Sequence, residues 1–218
     1  MYSIYYTCNV KHESKPEMAA WADELFEWLR EQNFVFHRSW RNAGIDSPDL
    51  VAYFDFNDEA SAQEFWGSPG CRDMITRMRK YTTDMREHRL LESPLTGLGV
   101  RGVQKGDANY TILYTCDVDQ SRKPEMAAWT AELLPWLATQ NFIYHRSTRN
   151  AGIDSPELMA YFDFADEESG QAFWSSKEWK DVMVRFNSYT SNQKEIRLAA
   201  SPLSGYGITG KQEGPMAR

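Results

Sequence analysis

The side chains best suited to chemistry cluster in two short stretches. The first holds His37, Arg38, Ser39, Arg41 and Asn42, followed by Tyr53 and Asp55. The second holds His145, Arg146, Ser147, Arg149 and Asn150, followed by Tyr161 and Asp163. Imidazole exchanges a proton near neutral pH, which makes histidine the natural acid or base. A carboxylate on the neighbouring segment can orient it. A guanidinium or amide can hold a phenolate, enolate or oxyanion. His37, Arg38 and Asp55, with His145, Arg146 and Asp163, are therefore the candidate catalytic residues for abstracting a proton from an acidic carbon or a phenol. Tyr6, Arg41, Asn42, Tyr53 and Trp66 are the candidate substrate-binding residues, with their counterparts Tyr114, Arg149, Asn150, Tyr161 and Trp174.

The two stretches are copies. YTCNV at Tyr6 returns as YTCDV at Tyr114, and KPEMAAW at Lys15 returns unchanged at Lys123. HRSWRNAGIDSPDL at His37 returns as HRSTRNAGIDSPEL at His145, and SPLTGLG at Ser93 returns as SPLSGYG at Ser201. The offset is 108 residues throughout, with no gap. That period is too long for a solenoid and suits a complete small domain. The expected division is 1–106 and 107–218, with the Gly-containing stretch after each copy packed as a C-terminal arm.

The elements that must position these residues are legible in each copy. Tyr2 to Val10 reads as a strand rich in Tyr, Ile, Thr and Val. Ser14, Pro16 and Glu17 resemble a helix start with Ser as cap, although the second copy has Arg122 in its place. Met18, Trp21, Leu25, Trp28 and Leu29 form a helical stripe ending near residues 31–33. Phe34 to Arg41 and Leu50 to Phe56 read as strands joined by a turn-rich connection. A helical region from Asn57 to Trp66 breaks at Ser68-Pro69 and restarts to about Tyr81. Glu87 to Leu91 reads as a short fourth strand. The order β-α-β-β-α-β is the split βαβ unit, an α+β class of ferredoxin-like type. Two such sheets can cover each other as an intramolecular α+β barrel. The competing arrangement is two independent domains, each pairing with another chain, so monomer and homodimer both stand open.

Strand alternation limits the chemistry. His37 and Arg38 point to opposite faces, so both enter one pocket only at a bulge. The competing reading gives one of them a structural role, pairing with Asp55 or capping a helix. Likewise, Trp66 and Trp174 line an aromatic pocket or simply pack the core. The Asn42 to Pro48 connection is either a substrate loop or a shaped turn.

Composition excludes several classes. The 8 Trp, 11 Tyr and 11 Phe are incompatible with a disordered chain. A formal net charge of -7 argues against nucleic acid as a partner. No apolar run reaches the ~18 residues of a membrane span. Nothing resembles a signal peptide, so the expected location is the cytoplasm. Cys8, Cys71 and Cys116 form no C-x-x-C, and Cys8 and Cys116 read as small buried residues. No duplicated His set has metal-ligand spacing, and no phosphate or dinucleotide loop is present, so no cofactor is expected.

Unit length, element order and the Phe65-Trp66 and Phe173-Trp174 pairs make each copy resemble the dimeric α+β barrel superfamily. The similarity is to its antibiotic-biosynthesis-monooxygenase-like and EthD-like branches. The resemblance covers nearly the whole chain. It implies a site between sheet and helices, or within the barrel. Activities in the superfamily include cofactor-independent oxygenation of phenolic polyketides, haem degradation, chlorite-dismutase-like haem chemistry, dehydration, cyclisation and isomerisation. The haem-degrading pattern places an Asn and a Trp at Asn9 and Trp66. Its His is missing, because residues 75 and 76 are Ile75 and Thr76 and their copies are Met183 and Val184.

The leading expectation is a cofactor-independent enzyme for a small aromatic or polyketide-like molecule. Proton abstraction would start an oxygenase, cyclase, isomerase or dehydratase (lyase) reaction. The alternatives are a haem enzyme ligated through His37 or His145, and a noncatalytic binding or assembly protein. The copies also differ at Trp40/Thr148, His88/Ile196 and Leu91-Glu92/Ala199-Ala200, which predicts unequal binding by the two halves.

Overall fold

The computed structural model describes residues 1–44, 47–152, 155–201 and 207–214. In chain order the first copy contributes β1 (Tyr2–Val10), α1 (Lys15–Arg30), β2 (Phe36–Asn42), β3 (Leu50–Phe56), α2 (Glu59–Gly67), α3 (Pro69–Tyr81) and β4 (Thr82–Glu92). A two-residue strand, β5 (Val100–Arg101), follows. The second copy contributes β6 (Tyr110–Val118), α4 (Lys123–Leu137), β7 (Tyr144–Asn150), β8 (Leu158–Phe164), α5 (Glu167–Ser175), α6 (Lys177–Asn187), β9 (Thr190–Ala200) and β10 (Ile208–Thr209). The β-α-β-β-α-β order holds in both copies, with the second helix split in two. No helix among the described residues is long and apolar enough to cross a membrane.

The chain forms two compact units, and their limits are offset from the sequence repeat. Unit 1 comprises Met1–Leu90 with Ala200–Arg218, and unit 2 comprises Leu91–Ala199. The arm after each copy is thus built into the unit formed by the other copy. In unit 1 the strand order is β10-β2-β3-β1-β4. In unit 2 it is β7-β8-β6-β9, with β5 added to β7. The central pairs are antiparallel, setting Tyr5 opposite Tyr53 and Arg38 opposite Tyr53 in unit 1. The same register sets Leu113 and Arg146 opposite Tyr161 in unit 2.

Local chemistry explains the helix boundaries. Asp58 and Asp166 accept hydrogen bonds from the backbone N–H of Ser61 and Ser169 and so start α2 and α5. Ser68 and Ser176 end those helices in extended backbone and cap α3 and α6 through the N–H of Cys71 and Trp179. Ser14 makes no side-chain cap, contrary to expectation. A 3-10 turn at His12–Ser14 leads into α1, and one at Gln120–Arg122 leads into α4. This is why Arg122 replaces Ser14 without disturbing the helix. β4 is also longer than its sequence suggests, because its exposed polar residues hide the strand period.

The helices cover one sheet face in each unit. In unit 1 Phe54 packs against Phe65 and Trp66 at ring-centroid distances of 5.3 and 5.9 Å. In unit 2 Phe162 packs against Phe173, Trp174 and Trp179 at 5.6, 5.8 and 5.0 Å. Offset and edge-on ring pairs of this kind add to the hydrophobic gain from burial.

Candidate functional site

The two faces of each sheet separate the polar residues that the sequence groups together. His37 lies opposite Phe54 in the β2–β3 register, and its ring stacks on Phe54 at 4.1 Å. His145 stacks on Phe162 at 3.8 Å. Both imidazoles therefore sit on the helix face. Arg38, Tyr53 and Asp55 lie on the other face, as do Arg146, Tyr161 and Asp163. All six are buried. The expected orientation of the histidines by Asp55 and Asp163 is wrong for this reason. Asp55 instead accepts a hydrogen bond from the Ser3 hydroxyl, and Asp163 accepts one from Thr111 at 2.6 Å. Arg38 lies over the Trp40 ring at 4.7 Å.

The histidines are oriented by backbone. His37 Nδ1 is 2.9 Å from the Tyr53 carbonyl oxygen, and His145 Nδ1 is 3.0 Å from that of Tyr161. A carbonyl only accepts, so Nδ1 carries the proton and Nε2 presents its lone pair. Nε2 has no hydrogen-bond partner among the described residues in either unit. Burial pushes both imidazoles down to about 4, with the bond to the carbonyl opposing the shift. Both rings are therefore neutral at neutral pH.

Cavities lie between these histidines and the helices. In unit 2, His145 and Ser147 share a cavity of about 60 Å³ with Tyr114, Trp129, Trp174 and Trp179. Thr96, from the arm, also lines it and bonds the Ser147 hydroxyl at 2.9 Å. In unit 1, His37 and Ser39 line an inner space of only about 20 Å³, bounded by Tyr6 and Met78. Tyr6 and Met78 also border an outer cavity of about 190 Å³, with Trp66, Met74, Arg79 and Glu87 around it. The Trp66 indole donates to Glu87 at 2.8 Å, and Trp174 donates to Glu195 at 2.6 Å. Burial raises the Tyr6 and Tyr114 phenols, so both stay protonated as donors.

Tyr6, His37 and Trp66 are thus brought to one side of the sheet in unit 1, as are Tyr114, His145 and Trp174 in unit 2. Arg41 and Arg149 are exposed and line none of these cavities. Asn42 and Asn150 are turn-forming. Each side-chain oxygen accepts the backbone N–H two residues on, from Gly44 and Gly152, at 2.9 Å. Of the conserved-looking connection between β2 and β3, residues 45 and 46, and the equivalent 153 and 154, lie outside the described residues. Cys8, Cys71 and Cys116 are buried, and burial pushes their thiols up to about 12.

Sequence reasoning missed the helix contribution to these cavities. Met78, Arg79 and Cys71 become Phe186, Asn187 and Trp179 in the second copy. The signal was present as the contrast between variable α3 and nearly invariant β2. Variability there marks the wall of a cavity that differs between the units.

Neither histidine has room for a haem beside its ring. The cavities at His145 and His37, about 60 and 20 Å³, fall far below the roughly 300–1,000 Å³ of typical ligand and cofactor pockets. Each imidazole is also covered on one side by its phenylalanine. The residues present do not fit the group.

No protein-family model matches this sequence, and no curated protein matches it. Solved structures do. A candidate monooxygenase of Fusobacterium nucleatum superposes with a TM-score of 0.71 at 11% identity, covering 99% of this chain and 98% of the other. An anthrone oxidase-like protein superposes with a TM-score of 0.62 at 13% identity, covering 100% and 96%. A chlorite dismutase of Candidatus Nitrospira defluvii superposes with a TM-score of 0.58 at 19% identity, covering 93% and 91%. These likenesses show that the chain shares its α+β fold with those proteins over nearly its whole length.

Proposed function

We propose that this chain is an oxygenase-type enzyme for a small hydroxyaromatic molecule, working on the helix face of its sheet without a bound cofactor. One observation carries the reading. A buried neutral imidazole presents an unpartnered Nε2 toward an aromatic-lined space that also holds a protonated tyrosine. The adjoining cavity of about 190 Å³, which shares Tyr6 and Met78 with that space, takes an apolar ring, and the tyrosine and imidazole select a hydroxyl or an acidic C–H. The named monooxygenases and the anthrone oxidase-like protein with the same fold agree with that chemistry.

The first step is transfer of the substrate proton to Nε2. Burial holds the imidazole near 4, which makes it a weak base. A phenolate or enolate formed beside it raises it again, because an opposite charge favours the charged ring. The Tyr53 carbonyl, accepting from Nδ1–H, steadies that imidazolium. The Tyr6 hydroxyl is the donor available to the developing oxyanion. Dioxygen then takes an electron from the carbanion-like ring carbon. The two radicals combine to a peroxide, which regains the proton, and loss of water leaves a carbonyl. For phenol, the balance is one dioxygen consumed and one water released per para-benzoquinone formed. Cyclisation, isomerisation and dehydration share the first step only.

A second reading, a ligand-binding protein without turnover, is favoured by the same low imidazole value, since an efficient base sits nearer the working pH. Dioxygen uptake with phenol and with resorcinol, both single-ring hydroxyaromatics, separates them. The enzyme reading predicts stoichiometric uptake and a fall of about 100-fold or more in kcat/KM for the double variant His37→Ala/His145→Ala. Binding of both aromatics with no uptake by the wild-type protein would establish the second reading instead.

A further inference from the structure

The two units differ at the positions that decide what their cavities hold. In unit 2, Phe186 stands edge-on to Tyr114 at 5.6 Å, and Trp179 lies 5.0 Å from Trp174. The Tyr114 hydroxyl is engaged by Asn187 at 3.0 Å. The space beside His145, walled by Tyr114, Trp174, Trp179 and Phe186, measures about 60 Å³. In unit 1 the same positions are Met78, Cys71 and Arg79. The Tyr6 hydroxyl has no hydrogen-bond partner among the described residues, and the outer cavity measures about 190 Å³. An enclosed apolar cavity of roughly 150 Å³ is enough for benzene. By that measure the unit 1 cavity takes one aromatic ring and the space beside His145 takes none. The unit 1 wall includes Met74, Met78 and Met85, whose unbranched side chains adapt to a ring.

Charge narrows the ligand further. Arg79 lines the outer cavity and makes no ion pair or hydrogen bond among the described residues. Glu87 lines it too, but its two oxygens are engaged by the Trp66 indole at 2.8 Å and by Arg89 at 3.2 Å. The exposed Arg79 guanidinium is thus the charged group at this cavity left open to a ligand, and it pairs with a planar carboxylate in a two-pronged geometry. In unit 2 its counterpart is the uncharged Asn187, already engaged by Tyr114.

We infer that unit 1 alone binds the ring, that its ligand class is a single-ring aromatic carboxylate bearing a hydroxyl, and that Arg79 selects the carboxylate. This rests on the hydroxyaromatic reading above and assigns it to one unit. The experiment is calorimetric titration of the full chain with para-hydroxybenzoate and, as a neutral probe, para-cresol. One site per chain is expected for each. Arg79→Gln should weaken para-hydroxybenzoate about tenfold and leave para-cresol unchanged. Met78→Phe should abolish binding of both, and Trp179→Cys/Phe186→Met should add a second para-cresol site. Equal loss for both probes in Arg79→Gln, no loss for either, two wild-type sites, or no binding at all would overturn the inference. Selective loss of the carboxylate together with absent dioxygen uptake would sink the enzymatic reading while supporting this one.

Discussion

At the scale of single residues, the account depends on two imidazoles kept neutral by burial. Each falls from 6.5 in the unfolded chain to about 4 in the folded one. The unfolded state therefore binds more protons between those values. The stabilisation from these residues is fully present above about pH 6.5 and is lost as pH falls toward 4. By linkage each histidine accounts for about 3 kcal/mol over that window. Urea midpoints at pH 7 and pH 4.5 should differ markedly for the wild type. The difference should shrink by about half in His145→Gln, whose amide does not titrate. An unchanged slope would show that the imidazole is not buried as neutral. The histidine and the strand that carries it were legible in the sequence. Its partner was not. Asp55 is the nearest carboxylate along the strand, yet the two-residue period sends it through the sheet, and a backbone carbonyl does the orienting.

The elements were legible where a strong period or a cap residue set them. The Trp21 to Leu29 stripe gave α1, and Ser68-Pro69 gave the break between α2 and α3. The two-residue strands of the arms carried no period at all. They are set instead by glycines that admit close backbone approach. Gly99 and Gly207, at equivalent positions, have φ of +109° and +116°. A Cβ on Gly99 would lie 2.7 Å from the His145 carbonyl oxygen, and one on Gly207 would lie 3.0 Å from that of His37. Each arm thus packs directly against the strand that carries the histidine. Gly99→Ala should cost about 1–3 kcal/mol, from strain at positive φ added to the clash. Thermal unfolding would measure it. Gly106→Ala is the control, because it shares a positive φ of +104° with nothing within 4 Å. It should cost less, and equal losses would remove the close-packing argument.

At the scale of the whole molecule, the repeat and the folded unit are not the same thing. The duplication divides the chain near residue 106, whereas unit 2 is the continuous segment 91–199. No property of one copy read alone shows this, because the arm looks identical whichever unit it joins. The fragment 91–199 keeps β5, Leu95 and Thr96, which line the His145 cavity, and the fragment 107–218 lacks them. Compared by urea unfolding, the first should have the higher midpoint. A higher midpoint for the second would contradict the assignment of the arm. The duplication also shows what identity between copies is worth. The nearly invariant β2–β3 hairpin carries the shared histidine, and the variable α3 and α6 line cavities of different size.

The central claim is that the working face of the sheet is the one covered by helices. A crystal structure of the full chain with para-cresol bound tests it most directly. The account predicts the ring in unit 1 between Tyr6 and Trp66, with its hydroxyl directed past Met78 toward His37. A ring bound on the opposite face, against Arg38, Tyr53 and Asp55, would contradict it.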